Sequence, residues 1–288
     1  MEYSLRYFST SKKLNAVDEL VIKYTKYTPE LIEFLDNRPK GQRIVIHCFD
    51  YEITEEDVEL IRQAAVRNNT NVLLELPITT SNEMLEYITT ETSIHFFFDT
   101  YITSKGALFD AIKKGVSDVK LMGSICFSMK TVANYCHERD VRVRVCPNLA
   151  QSDGWEPNGI IDFFIRPEDI EYYEDLIDIC EFYGPLDKQD VLYDIYKDER
   201  WLGYLDELII GFTEEERVNN LNLLPNFYEP RLNCNRRCVI DEKCNYCQIC
   251  KSMAKTLNEK DIYIAKEKKK YEYNANETVV RNVPPETI

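Results

Sequence analysis

Arg43-Ile44-Val45-Ile46-His47-Cys48-Phe49, then Thr54-Glu55-Glu56-Asp57, then Val72-Leu73-Leu74-Glu75-Leu76: these three pieces decide the fold. The first and third are short aliphatic runs bounded by polar residues, which is how a strand buried on both faces reads. The middle piece resembles a capping box, and Val58, Ile61 and Ala65 then recur on one helical face. Strand, helix, strand is the unit of a parallel sheet. Outward from this unit the same rhythm repeats. Apolar runs at 20–24, 94–98, 119–125, 141–146, 161–165 and 177–182 predict further strands, most of them about 20–28 residues apart. Segments 104–114 and 128–139 predict helices, and Thr28-Pro29-Glu30 opens another with proline in its first turn. Eight strands at this spacing predict an α/β fold, an eight-stranded TIM-type β/α barrel. A doubly wound open sheet is the alternative, because a sequence does not reveal closure.

The chain has 288 residues, 44% of them apolar, enough for a sizeable core. It carries 35 basic and 50 acidic side chains, a net charge of −15. Such an excess of acid repels a phosphate backbone. The stretch from Arg231 onward is net basic and holds Lys266-Glu267-Lys268-Lys269-Lys270. A nucleic-acid or protein partner is therefore expected there, although a lysine run also suits a solvated helix face. The opening residues lack the apolar core of a targeting signal, and no apolar run nears the roughly 20 residues of a membrane span. A cytoplasmic location without membrane contact is the expectation. A helical pattern over 189–209 would cover the barrel, which places a barrel domain at 1–212 and a cysteine-rich segment with a basic tail at 213–288.

Half of the ten cysteines fall in one short stretch: Cys234, Cys238, Cys244, Cys247 and Cys250. In a reducing compartment such clustering points to metal rather than disulfides. Thiolates two or three residues apart can turn towards one ion, and Zn²⁺ takes four of them as a tetrahedron. The run Cys244, Cys247, Cys250 equally matches three ligands of a ferredoxin-type iron–sulfur site, with Cys234 or Cys238 as the fourth. Zinc or an iron–sulfur cluster is the expected cofactor, and a purely structural role is the simpler one, since no histidine lies nearby. Cys48, Cys126, Cys136, Cys146 and Cys180 read as small buried hydrophobes.

In a β/α barrel the chemistry sits at the carboxyl ends of the strands. The polar residues read at those ends are His47, Asp50, Glu75, His95, Asp99, Lys120, Arg144, Asn148, Arg166 and Glu181. Of these, Glu75, Asp99, Arg166 and Glu181 are the candidate catalytic residues: acids beside Arg and Lys can transfer protons or hold an anion. The competing expectation is a buried network of ion pairs with no catalytic role. The turn-rich loop from Gln151 to Gly159, with Trp155, is a lid or a plain connection. No glycine-rich phosphate loop, Gly-x-Ser-x-Gly elbow or Cys-x3-Cys-x2-Cys run occurs, which disfavours the chemistries those motifs serve.

Ile165-Arg166-Pro167-Glu168-Asp169-Ile170, followed by Glu181-Phe182-Tyr183-Gly184, resembles the late strands of the collagenase-like peptidase family, whose barrels are followed by cysteines. That family includes peptidases and iron–sulfur proteins needed to hydroxylate RNA bases or quinones. The resemblance implies a barrel joined to a cysteine-ligated centre. It departs where Gly184 is followed by Pro185-Leu186-Asp187 and the cysteines begin only at Cys234. The expectation is thus a metal-containing barrel enzyme, performing redox modification of RNA or a small molecule, or hydrolysis. The alternative is a scaffold whose zinc knob binds a partner.

Overall fold

The computed structural model describes residues 1–6, 17–24, 35, 42–48, 52–122, 129–149, 165–184, 186–201, 208, 271–272 and 281–282. The chain divides into two compact units. The first comprises Met1–Leu121, Tyr135–Val145 and Ile177–Glu181, and it holds one eight-stranded parallel sheet. Its strands are β1 (Glu2–Arg6), β2 (Glu19–Lys23), β3 (Arg43–His47), β4 (Val72–Leu76), β5 (His95–Phe98), β6 (Asp118–Leu121), β7 (Arg142–Val145) and β8 (Ile179–Glu181). Their spatial order is β5-β4-β3-β2-β1-β8-β7-β6. The two end strands also meet. Ser117 N donates to Phe96 O at 2.9 Å, Ile102 N donates to Lys120 O at 2.7 Å, and Ile102 bridges Leu121 in parallel. The sheet therefore curls into a nearly closed β/α barrel, as the strand rhythm predicts.

Helices alternate with the strands. Helix α1 (Glu55–Arg67) begins at a true capping box: Asp57 N donates to Thr54 Oγ1 at 3.2 Å, and Thr54 N donates back to Asp57 Oδ2 at 2.9 Å. Its buried face is Val58, Ile61, Ala64 and Ala65. Helices α2 (Asn82–Glu91) and α3 (Lys105–Lys113) are capped by Ser81 and Ser104. The spacing of flanking strands leaves room for α2, but its own sequence does not announce it. Helix α4 (Met129–His137) follows β6, as expected. The turn after α3 places Gly115 at φ +84°, a conformation that disfavours a side chain.

Two strands differ from the expectation. Ile165, the one described residue of the apolar run 161–165, lies outside any strand, and β7 pairs directly with β8, leaving no place between them in the sheet. The eighth strand is instead β1, at the extreme amino terminus, seated between β2 and β8. Hydropathy misses it because its inward positions include Glu2 and Ser4, polar residues that face a polar interior.

The second unit comprises Met122–Asn134, Cys146–Leu176 and Phe182–Ile288. Its described core joins the 3-10 helix Pro167–Tyr173 to helix α5 (Leu186–Lys197). Tyr196 Oη donates to Ile165 O at 2.5 Å, and its ring lies 5.2 Å from that of Phe182. The helix expected over 189–209 starts earlier and stops at Lys197, two residues before Glu199, whose φ is +53°. Two short strands, β9 (Tyr271–Glu272) and β10 (Arg281–Asn282), pair antiparallel. The five clustered cysteines, Cys126, Asp50, the 151–159 loop and the Thr28 helix all lie outside the described residues. Among those described, no helix is long and apolar enough to cross a membrane, and no three His, Cys, Asp or Glu side chains converge as a metal site.

Candidate functional site

Strands β6 (Asp118-Val119-Lys120-Leu121) and β7 (Arg142-Val143-Arg144-Val145) alternate charge with aliphatic. On a half-exposed sheet this pattern puts charge outward. Here the buried aliphatic positions take the outer face of the barrel, so the period of two sends Asp118, Lys120, Arg142 and Arg144 inward. Strands β2 to β5 give the interior an apolar cluster of Val21, Val45, Leu73 and Phe97, with Glu19 and Glu75 on the same faces as Val21 and Leu73.

At the amino-terminal ends the charges form a closed network. Arg144 grips Glu19 with both terminal nitrogens at 2.6 Å, and its Nε reaches Asp118 at 3.0 Å. Arg142 contacts Asp118 at 2.8 Å, while Arg43 contacts Glu2 at 2.7 Å and Glu19 at 3.3 Å. Burial by itself would raise the pKa values of Glu19 and Asp118, but Arg144 beside both carboxylates holds them below the ordinary range. Burial likewise opposes charge on Arg144, and the facing carboxylates, Glu19 first, overcome it and keep the guanidinium ionised. Its planar face lies 4.2 Å from the Phe97 ring centroid. This layer is structural: Arg144 spends both terminal nitrogens and its Nε on buried carboxylates.

A second polar group lies towards the carboxyl ends. Lys120 Nζ sits 2.5 Å from Glu75 Oε1 of β4 and 3.4 Å from Glu181 Oε1 of β8. Glu181 Oε2 is 3.8 Å from Arg144 Nη1, so its contacts with both cations are long. Lys120 is 3% exposed, with the Tyr101 ring 5.1 Å from its nitrogen. Ser4 occupies the position in register with Glu181 on the neighbouring strand; it is fully buried, and its Oγ meets no hydrogen-bond partner among the described residues. Two acids, one amine and one unsatisfied hydroxyl thus share the interior.

Of the four candidate catalytic residues, the structure brings Glu75 and Glu181 onto one lysine. Asp99 follows β5, half-exposed, and accepts a hydrogen bond from Thr100 Oγ1 at 3.0 Å. Arg166 belongs to the second unit, where it forms a buried two-point pair with Asp169 at 2.5 and 2.6 Å. Asn148, in that unit too, staples Tyr183 by donating to its O at 2.9 Å and accepting from its N at 3.0 Å. His47 ends β3 opposite Glu75, whereas His95 opens β5 rather than ending it. His95 lines a shallow cleft of about 470 Å³ with Arg62, Asn69, Thr70, Asn71 and Ser93, at the amino ends of β4 and β5. Glu19, Asp118 and Ser4 do not stand out in the sequence, since they open or interrupt apolar runs where polar residues usually mark turns.

No protein-family model matches the chain. Over 90 residues, 30% of the chain, it is 37% identical to an uncharacterized protease from Methanocaldococcus jannaschii. That stretch is 26% of the archaeal protein, so the match spans about a quarter of the relative's length. It bears out the resemblance to the collagenase-like peptidases. Among solved structures, a U32 peptidase aligns over 64% of this chain and 93% of its own at 12% identity and a TM-score of 0.35. A 4-hydroxy-2-oxoglutarate/2-dehydro-3-deoxyphosphogluconate aldolase aligns over 64% and 78% at 12% identity and a TM-score of 0.32. Likenesses of that size bear on neither substrate nor reaction.

Proposed function

We propose that this protein is a β/α-barrel enzyme whose reacting centre is the Glu75–Lys120–Glu181 cluster. One observation carries the reading: carboxylates from two strands that are not neighbours, β4 and β8, meet on a single buried amine in the carboxyl-terminal half of the barrel. In this reading Glu181, 3.4 Å from Lys120 Nζ, exchanges protons with the substrate. Lys120 steadies the negative charge that develops, and Glu75 fixes Lys120. Phe97 and Tyr101 keep the surroundings apolar, which strengthens each interaction.

We propose further that Cys234, Cys238, Cys244, Cys247 and Cys250 hold a zinc ion or an iron–sulfur cluster, since soft thiolates at these spacings suit either. Iron–sulfur would supply electrons for redox modification of RNA or a small molecule, as the family resemblance implies; zinc would hold the segment together. Hydrolysis is the second reading, favoured by the stretch shared with the archaeal protease. The test compares cells carrying the wild-type gene, Glu181→Gln, or no gene, by mass spectrometry of RNA nucleosides, small molecules and peptides. A product present only with wild type is expected, and its mass change separates hydroxylation from hydrolysis. Identical profiles from wild type and Glu181→Gln, with both proteins folded, would overturn the proposal.

A further inference from the structure

We infer that Lys120 is an imine-forming lysine and that the substrate of the barrel is a small carbonyl compound. The inference rests on the reacting centre proposed above and names its substrate class. Joining a lysine ammonium to a carbonyl gives a protonated imine and water. The C–N bond forms, the C–O bond breaks, and two protons travel from nitrogen to the departing oxygen. No oxidant or reductant is consumed. Such a reaction needs a proton acceptor beside the amine and a second relay to the oxygen. Lys120 has both: Glu75 Oε1 at 2.5 Å takes the first proton and frees the nitrogen, while Glu181 Oε1 at 3.4 Å is placed to carry the second.

Ser4 is an independent observation. A buried hydroxyl without a partner costs about 1–3 kcal/mol, so its persistence asks for an occupant. Ser4 stands in register with Glu181 on one side and Glu19 on the other, and in this inference its Oγ hydrogen-bonds the oxygen that enters with the carbonyl and leaves as water. The rings of Phe97 and Tyr101 lie 5.9 and 5.1 Å from Lys120 Nζ and wall the amine off from water.

The test uses the full chain with pyruvate or glycolaldehyde, small enough for a nitrogen this enclosed, and cyanoborohydride to reduce any imine to a stable amine. Peptide mass spectrometry then reads each lysine. We expect Lys120 to be labelled at least tenfold faster than the exposed lysines Lys105 and Lys130, and Lys120→Arg to lose that label. Glu181→Gln, which keeps the shape of the site, should slow labelling at Lys120 and leave Lys105 unchanged. Ser4→Ala should slow it too while leaving the melting temperature equal or higher. Labelling of the exposed lysines with Lys120 untouched by both probes would overturn the inference, as would equal rates in wild type and Glu181→Gln. If Lys120 stays unlabelled while Glu181→Gln still abolishes the product in cells, imine chemistry fails and the proton-transfer centre stands. If both fail, the centre fails as well.

Discussion

Arg144→Met removes the best-connected cation in the barrel and keeps its hydrocarbon volume. The two 2.6 Å contacts to Glu19 and the 3.0 Å contact to Asp118 vanish. Glu19 is left with Arg43 at 3.3 Å, and Asp118 with Arg142 at 2.8 Å. Breaking one side of a buried pair costs roughly 3–5 kcal/mol, and the surviving contacts place this case near the lower end, about 3 kcal/mol at pH 7. The pH dependence is more diagnostic than the size. In the wild type Glu19 and Asp118 titrate below their unfolded values, so their contribution is fully present above pH ~5 and is unchanged between pH 7 and pH 5. Without Arg144, burial dominates and pushes the Glu19 pKa above its unfolded value. The native state then binds the extra proton, and stability rises as pH falls, by at most about 1.4 kcal/mol per pH unit for one group. Urea denaturation followed by circular dichroism at pH 7 and pH 5 reads both. The variant should lose about 3 kcal/mol at pH 7 and recover a measurable part at pH 5. A loss below ~1 kcal/mol, or an equal loss at both pH values, would refute the ion-network account.

Two further outcomes follow from the same geometry. Wild-type stability should hold from neutral pH down to about pH 5 and then fall below pH ~4, as Glu19 and Asp118 take up protons against their depressed native values; stability that rises on acidification in an acid titration would contradict the depressed carboxylates. Under native conditions at pH 8, Cys48, Cys136, Cys146 and Cys180 should resist alkylation, since all four are buried and burial, with Asp178 nearby, pushes Cys136 up to about 12. Mass spectrometry that finds any of these four modified before unfolding would count against their burial.

The parts of the fold legible in the sequence were those where hydropathy and geometry agree. Val72–Leu76 reads as a strand because its neighbours on both faces are apolar, and α1 reads from its capping box. Glu2–Arg6 does not, since the barrel wall it completes faces charge and not hydrocarbon. Ile165 shows the complementary case: hydropathy marks burial, and Ile165 is buried in the second unit without joining a strand. Glu75, Lys120, Arg144 and Glu181 were legible as strand-end polar residues. Their meeting was not, because it depends on β4, β6 and β8 facing one another across a nearly closed sheet. Glu19 and Asp118 open their strands, where a charged residue ordinarily signals the preceding turn.

The central claim is that the Glu75–Lys120–Glu181 cluster performs chemistry rather than holding the barrel together, and Glu181→Gln separates the two directly. Glu181 lies 3.4 Å from Lys120 and 3.8 Å from Arg144, and glutamine keeps its shape, so the substitution should change stability by no more than about 1 kcal/mol. Measured in one preparation, the variant should unfold at nearly the wild-type urea midpoint while the product made by the wild type in cells is lost. A variant that still makes the product at the wild-type level, or that loses it only because the barrel has lost several kcal/mol of stability, would contradict the account.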